Sequence, residues 1–213
     1  MKWPFITREL IVAAQRRLAA AVALYILLLA GFTLTWGLTA PGLTGGTIYD
    51  ALRMFEWGAL TVLMPWVAAR CHAPDRGQSL AILSTLTAHR PSSIVIAKIA
   101  SLAGVLLVVV AAGMPPAVLA QKMSAQPLST VFRDLGSFAG YAFLASAVTM
   151  AWLLASGDEV TSWIGAAATT AVVRTVTSNL PIASQVTAMI AIAGCVAAAA
   201  ATWSDRSLQY CDE

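Results

Sequence analysis

The 213-residue chain is unusually apolar, with 59% hydrophobic residues, 11% charged residues and a mean hydropathy of +0.76. This composition predicts a polytopic membrane protein, in which each helical crossing needs about 20 apolar residues. Six crossings would use most of the chain and exclude a separate soluble catalytic domain. The formal net charge of +3 is spread over the flanks of the apolar segments, which argues against nucleic-acid binding.

We expect one all-α transmembrane domain over residues 1–213. Residues 2–17 mix charged and apolar side chains, as an interfacial helix does. The apolar run that starts near Leu18 is long enough to span a membrane and stay there, which does not fit a cleavable signal. Pro115 and Pro116 are expected to break the third crossing near its far end. The six predicted crossings cover residues 18–40, 48–69, 94–119, 131–155, 160–178 and 182–203.

The polar segment between the second and third crossings has its own helix signals. Asp75 and Gln78 have capping-box spacing, and Pro91 ends the helix that they begin. Ser92 or Ser93 is then expected to cap the next helix. These signals predict a short amphipathic helix at about 75–89 on the membrane surface, with an apolar face formed by Leu80, Ile82, Leu83 and Leu86.

The distribution of lysine and arginine predicts the orientation. Nine of these residues lie on the side of the N-terminus: Lys2, Arg8, Arg16, Arg17, Arg70, Arg76, Arg90, Lys98 and Arg206. The other side has four: Arg53, Lys122, Arg133 and Arg174. Because cytoplasmic loops carry the excess of basic residues, both termini and the 75–89 helix are predicted to be cytoplasmic in a cell inner membrane.

Several charged residues fall within predicted crossings. Arg53 and Glu56 are three residues apart, so they can form an ion pair on one helix face, with a gate or substrate contact as the alternative. Arg174 is expected to be an interfacial anchor, or to lie near an exit path. Arg133 and Asp134 are expected at a solvated helix end.

Other patterns carry less information. Gly136 and Gly140 form a GxxxG motif that would let another helix approach closely. The three cysteines are scattered and predict no disulfide framework. Cys71 and His72 are adjacent, which is poor chelate geometry, and no further ligand follows at a recognisable spacing, so we expect no metal site. We also find no phosphate-binding GxxxxGK[ST] loop, no GxSxG and no HExxH.

The order of these features resembles the membrane subunit of ABC-2-type ABC transporters. The resemblance covers the chain in topology, and its motif content is concentrated in residues 65–98. In that family an N-terminal elbow helix precedes the first crossing, and a coupling helix follows a proline-containing end of the second. The matching residues here are Pro65, Asp75, Arg76, Ser79, Leu80, Ile82 and Leu83, then the stretch 94–98 (IVIAK). Ala81 and Ala97 stand where the family often has Glu and Gly.

The resemblance implies a non-catalytic permease that couples to a separate cytoplasmic ATPase. That subunit would bind ATP and Mg, and this chain would bind no cofactor itself. The coupling residues would be Asp75, Arg76, Gln78, Ser79, Leu80, Ile82, Leu83 and Leu86. A second permease chain, identical or related, would complete the pathway within the lipid bilayer. Export of an amphipathic or lipid-like substrate is the expected activity.

Two other functions stay open at this point. A permease-like scaffold would transmit ATPase motion to a partner complex without transport. A small intramembrane enzyme would need a nucleophile and a base inside the crossings, and Arg53, Glu56 and Arg174 do not supply them.

Overall fold

The computed structural model describes residues 16–39, 45–71, 90–124 and 127–209, and within these ranges the chain is helical with no strand. The predicted all-α class is therefore confirmed for them. Residues 2–15 of the predicted interfacial helix and the predicted coupling helix at 75–89 lie outside the described residues. The helices are α1 (Arg16–Thr39), α2 (Gly45–Cys71), α3 (Pro91–Ala112), α4 (Met114–Ser124), α5 (Leu128–Ser156), α6 (Glu159–Thr177) and α7 (Ile182–Gln209).

Three stretches in the described part of the chain are long and apolar enough to cross a membrane: Pro91–Lys122, Leu128–Ser156 and Ile182–Ser204. A shorter apolar helical run covers Ala23–Phe32 in α1. These stretches match the third, fourth and sixth predicted crossings and support a membrane protein. Crossings by α1, α2 and α6 stay predictions.

Prolines determine where the apolar stretch Pro91–Lys122 begins and where it bends. α3 begins at Pro91, with Arg90 in the N-cap position and no side-chain cap, so the prediction that Ser92 or Ser93 caps this helix is wrong. Proline suits the first helical position, because the N–H that it lacks has no intrahelical partner there. The helix breaks at Gly113, just before Pro115 and Pro116, as predicted. Neither proline has an N–H to donate to the carbonyl four residues earlier.

A tight turn joins α5 to α6. Gly157 adopts a left-handed φ of 65° and donates its N–H to the carbonyl of Leu153, which ends α5. Asp158 caps α6, since its carboxylate accepts a hydrogen bond from the N–H of Thr161 at 2.8 Å. Glycine and aspartate are the residues that these two positions favour. Residues 156–159 (SGDE) therefore form a short turn through local chemistry.

α5 lies at the centre of the described helices and packs against α2, α3, α6 and α7. Its buried residues include Tyr141 and Leu144 together with several alanines, which let neighbouring helices approach closely. α7 does so at Gly140, where an added Cβ would lie 3.4 Å from Val186 Cγ1. No atom lies within 4 Å of a Cβ added at Gly136, so the close approach involves one glycine of the GxxxG motif.

Candidate functional site: a buried polar cluster beside an aromatic platform

One face of α2 carries three polar side chains into the bundle. Tyr49, Arg53 and Glu56 are spaced four and three residues apart, so they lie on the same side of the helix. Tyr49 and Glu56 are buried, and the Arg53 side chain is 32% exposed. Charged groups in an apolar bundle are unfavourable unless they are paired or hydrogen-bonded. Their partners come from other helices.

Asp134 of α5 is the partner of both Tyr49 and Arg53. Its Oδ1 lies 3.0 Å from Nη2 of Arg53, and its Oδ2 accepts a hydrogen bond from the Tyr49 hydroxyl at 2.8 Å. The Oδ1 contact lacks hydrogen-bond geometry, so it is an ion pair held by charge attraction. Only 3% of the Asp134 side chain is exposed.

This arrangement corrects two predictions. The described ion pair of Arg53 is with Asp134 on another helix, and not with Glu56. Asp134 lies 3.0 Å from the guanidinium, whereas the Glu56 carboxylate accepts a hydrogen bond from Tyr25 of α1. Asp134 is buried, so the solvated helix end predicted for it is wrong, whereas its neighbour Arg133 is exposed. Successive residues on a helix face in different directions, and here one points into the bundle and the other away from it.

Glu56 lies at the break between α3 and α4. Its Oε1 accepts a hydrogen bond from the Tyr25 hydroxyl of α1 at 3.3 Å. A Cβ added to Gly113 would lie 2.5 Å from the same oxygen, so only glycine leaves room for the carboxylate in its present position. The glycine at the helix break therefore leaves space for the Glu56 carboxylate. We call Tyr25, Tyr49, Arg53, Glu56 and Asp134 the polar cluster.

A small cavity lies beside the polar cluster. It has a volume of about 20 Å³, and it is lined by polar residues of the cluster and by apolar residues of α3, α4 and α5. A volume near 10–15 Å³ is enough for one water molecule, provided that polar partners are present. The cavity therefore has room for a water-sized ligand and none for a cargo molecule. Tyr49, Arg53, Glu56 and Asp134 contribute the polar part of its lining.

An aromatic platform lies one turn further along α2. The ring of Trp57 packs at 4.5 Å from Phe138 and edge-on at 5.5 Å from Tyr141. The Tyr141 hydroxyl donates to Thr170 Oγ1 of α6 at 2.9 Å. The guanidinium carbon of Arg174 lies 4.3 Å from the centre of the Trp57 ring, which is cation–π geometry. We call Trp57, Phe138 and Tyr141 the Trp57 platform.

The structure thus brings Arg53, Glu56 and Arg174 to one region, although they do not contact each other directly. The predicted coupling residues Asp75, Arg76, Gln78, Ser79, Leu80, Ile82, Leu83 and Leu86 lie outside the described residues. Of the flanking motif, Pro65 is buried inside α2. At the start of α3, Ile94, Val95, Ala97 and Lys98 are buried and Ile96 is exposed.

The sequence patterns do not single out Asp134 as a buried partner, nor Tyr25, Tyr49 and Trp57 as site residues. A signal existed for Tyr49, because Tyr49, Arg53 and Glu56 have the spacing of one helix face. Trp57 shares the i, i+4 spacing with Arg53. No spacing rule links Tyr25 or Asp134 to α2, since their sequence separations from Glu56 and Tyr49 are 31 and 85 residues.

The arrangement holds Arg53, Asp134 and Glu56 inside the bundle, because each has a partner on another helix. In the described ranges, no three His, Cys, Asp or Glu side chains are grouped so that they could hold a metal ion.

A scan of protein-family models found no match to this chain, and searches of curated proteins and of solved structures found none either.

Proposed function

We propose that this chain is the membrane subunit of an ABC transporter of the ABC-2 type. A separate cytoplasmic ATPase would bind ATP and Mg and drive export through a pair of permease chains. The observation that carries the proposal is the pattern in residues 65–98, which runs from the end of one long helix to the start of the next. α2 ends at Cys71 and α3 begins at Pro91, so a force on the intervening residues would reach both helices.

The proposed topology has six crossings, with both termini and the 75–89 segment on the cytoplasmic side of a cell inner membrane. The first half of α2 contains three charged residues, Asp50, Arg53 and Glu56. Two of these charged groups have partners on other helices: Arg53 contacts Asp134 and Glu56 contacts Tyr25. Such pairing lowers the cost of placing charges within a membrane, and it supports α2 as a crossing.

The proposed cargo is amphipathic or lipid-like. The exposed surface of the described helices carries many large apolar side chains, among them Leu27 of α1, Val108 of α3 and Val176 of α6. The cavity of about 20 Å³ is far too small to enclose such a cargo. A path for it would therefore run along the surface of the chain, where a second permease chain completes the enclosure.

The test is to co-express the chain with its ATPase and to measure both association and coupling. Leu83→Asp places a charge on the predicted apolar face of the coupling helix, so we expect it to abolish ATPase co-purification and cargo-stimulated ATP hydrolysis. Thr85→Asp adds the same charge to the predicted polar face and serves as the matched control. Unchanged association and activity in Leu83→Asp would refute the docking assignment.

Reconstituted vesicles then distinguish transport from a scaffold function. Cargo flux that requires ATP is the expected result for a transporter subunit. Sustained ATPase activity without flux would contradict transport and favour the permease-like scaffold that passes ATPase motion to a partner complex. An activity of the purified single chain that is lost in a Glu56 variant would favour an intramembrane enzyme.

A further inference from the structure

The two carboxylates of the polar cluster do not share its cation equally. Asp134 lies 3.0 Å from the guanidinium of Arg53 and forms an ion pair with it. Glu56 has a neutral partner instead, the Tyr25 hydroxyl, which donates to its Oε1 at 3.3 Å. In the described ranges the cluster thus contains two carboxylates and one guanidinium, and the guanidinium pairs with Asp134.

Glu56 is buried in a mostly apolar part of the bundle. It is 5% exposed, and Gly113 at the helix break lies directly against its Oε1. The cavity that Glu56 lines is bordered elsewhere by apolar side chains such as Leu52 and Phe138. An ionised carboxylate loses its hydration in such surroundings, and one hydrogen bond from a neutral hydroxyl does not replace it. The neutral, protonated form of the group has no such cost.

The other groups around Glu56 do not supply a compensating positive charge. Arg53 and Asp134 both act on Glu56 electrostatically, and their charges oppose each other. The hydroxyls of Tyr25 and Tyr49 donate hydrogen bonds to carboxylates, so both phenols are neutral. The residues of α3 and α4 that line the same cavity are not titratable: Val110, Gly113, Met114 and Ala117. The described surroundings therefore leave a charge on Glu56 uncompensated.

A second buried oxygen in the same cavity lacks a hydrogen-bond donor. Oδ1 of Asp134 is buried and accepts no hydrogen bond from the described residues. Asp134 and Glu56 both line the cavity of about 20 Å³, which has room for one water molecule. A protonated Glu56 carries its O–H on Oε2, because Oε1 accepts from Tyr25. One water can accept that O–H and donate to Asp134, so both groups would be satisfied.

We propose that Glu56 is a proton-binding site inside the helix bundle. The proton comes from solvent and adds to Oε2, which converts the carboxylate into a neutral carboxyl group. Its release to solvent restores a buried negative charge beside α1 and the α3–α4 break. Ionisable groups inside membrane-protein bundles serve as proton sites in this way. The inference goes beyond the transporter proposal and does not depend on it, since the single chain binds the proton.

Infrared spectroscopy of the full chain, in a detergent without carbonyl groups, tests the proposal directly. The C=O band of a neutral carboxyl group is separate from the bands of carboxylates. At neutral pH we expect such a band in the wild type, with a shift in D₂O, and its loss in Glu56→Gln. Asp50→Asn is the matched control, because it removes an exposed carboxylate from the same helix and should keep the band. A wild type without the band, or a band that survives in Glu56→Gln, would overturn the site.

Tyr25→Phe provides a second variant that keeps the carboxyl group, and it carries the test if Glu56→Gln does not fold. The carbonyl oxygen of the neutral group loses its hydrogen-bond donor. The band should therefore remain and move to a higher frequency. An unchanged frequency would place the proton on another carboxyl group and overturn the assignment to Glu56.

The pH dependence of unfolding is an independent measurement. A glutamate in the unfolded chain is ionised above about pH 4.3, so the folded chain binds one more proton than the unfolded chain does. Stability should then fall as the pH rises. Between about pH 5 and pH 7 the unfolding equilibrium constant of the wild type should increase by up to about tenfold per pH unit relative to that of Glu56→Gln. Equal pH dependence in the two proteins would contradict the proposal. Failure of the transporter tests together with the expected band would refute only the transporter proposal.

Discussion

Arg53 and Arg174 lie in the same region of the bundle, yet their positive charges have different partners. Arg53 belongs to the polar cluster, where Asp134 of another helix supplies a carboxylate at 3.0 Å. Arg174 lies on the Trp57 platform, where an aromatic ring 4.3 Å away is its described partner. The two regions share α2, since Arg53 and Trp57 are one turn apart.

One arginine is paired with a carboxylate, whereas the other is held against an aromatic ring. The polar cluster pairs each of its carboxylates with a donor from another helix, so it fastens α1, α2 and α5 together. The platform instead holds a cation against the face of an aromatic ring. Three experiments test this contrast.

The largest effect is expected for Asp134→Ala. The change leaves Arg53 without its carboxylate and the Tyr49 hydroxyl without its acceptor. Removing one partner of a buried pair costs 3–5 kcal/mol, and the partial exposure of Arg53 places the expected loss of unfolding free energy at the lower end, about 3 kcal/mol. Denaturation by SDS in mixed micelles measures it. Arg133→Ala is the adjacent control, with a change within about 0.5 kcal/mol. Equal losses would mean that the ion pair contributes nothing specific.

A smaller effect is expected for Tyr25→Phe. Glu56 would lose its described hydrogen-bond donor and remain buried, which costs about 1–2 kcal/mol of unfolding free energy. The 3.3 Å distance places the value near the lower limit. In a Glu56→Leu background the same tyrosine change should cause no loss and should slightly stabilise the protein, because the buried Tyr25 hydroxyl has no acceptor there. A similar loss in both backgrounds would show that Tyr25 acts through packing alone.

The smallest effect is the coupling between Trp57 and Arg174. A double-mutant cycle of Trp57→Phe and Arg174→Met should give an interaction energy of about 0.5–1 kcal/mol, which is typical of a cation–π contact. Thermal or SDS unfolding of the four proteins in micelles provides the energies. The cycle of Trp57→Phe with Arg133→Met is the control, and it should give no coupling. A zero value in the first cycle would show that the Trp57 ring does not stabilise the Arg174 cation.

α5 and α7 show why hydropathy alone could not predict which apolar helix is buried in the bundle. Both helices are long and apolar, yet 61% of an apolar 18-residue stretch of α5 is buried, against 17% for α7. A membrane-facing residue and a core residue are equally apolar, so composition does not tell them apart. The same holds for charge: Arg133 and Asp134 are adjacent in sequence, and only the packing of α5 places one inside and one outside.

The sequence by itself determined the helical class and many helix ends. Pro91, Gly157 and Asp158 act on their immediate neighbours, through a missing N–H, a left-handed φ and a capping carboxylate. The prolines at 115 and 116 likewise break the helix through local chemistry. Partners that are 31 or 85 residues apart were decided only by the tertiary structure. Which carboxylate meets Arg53, and which ring meets Arg174, depends on how the helices pack, and local chain geometry carries no information about that.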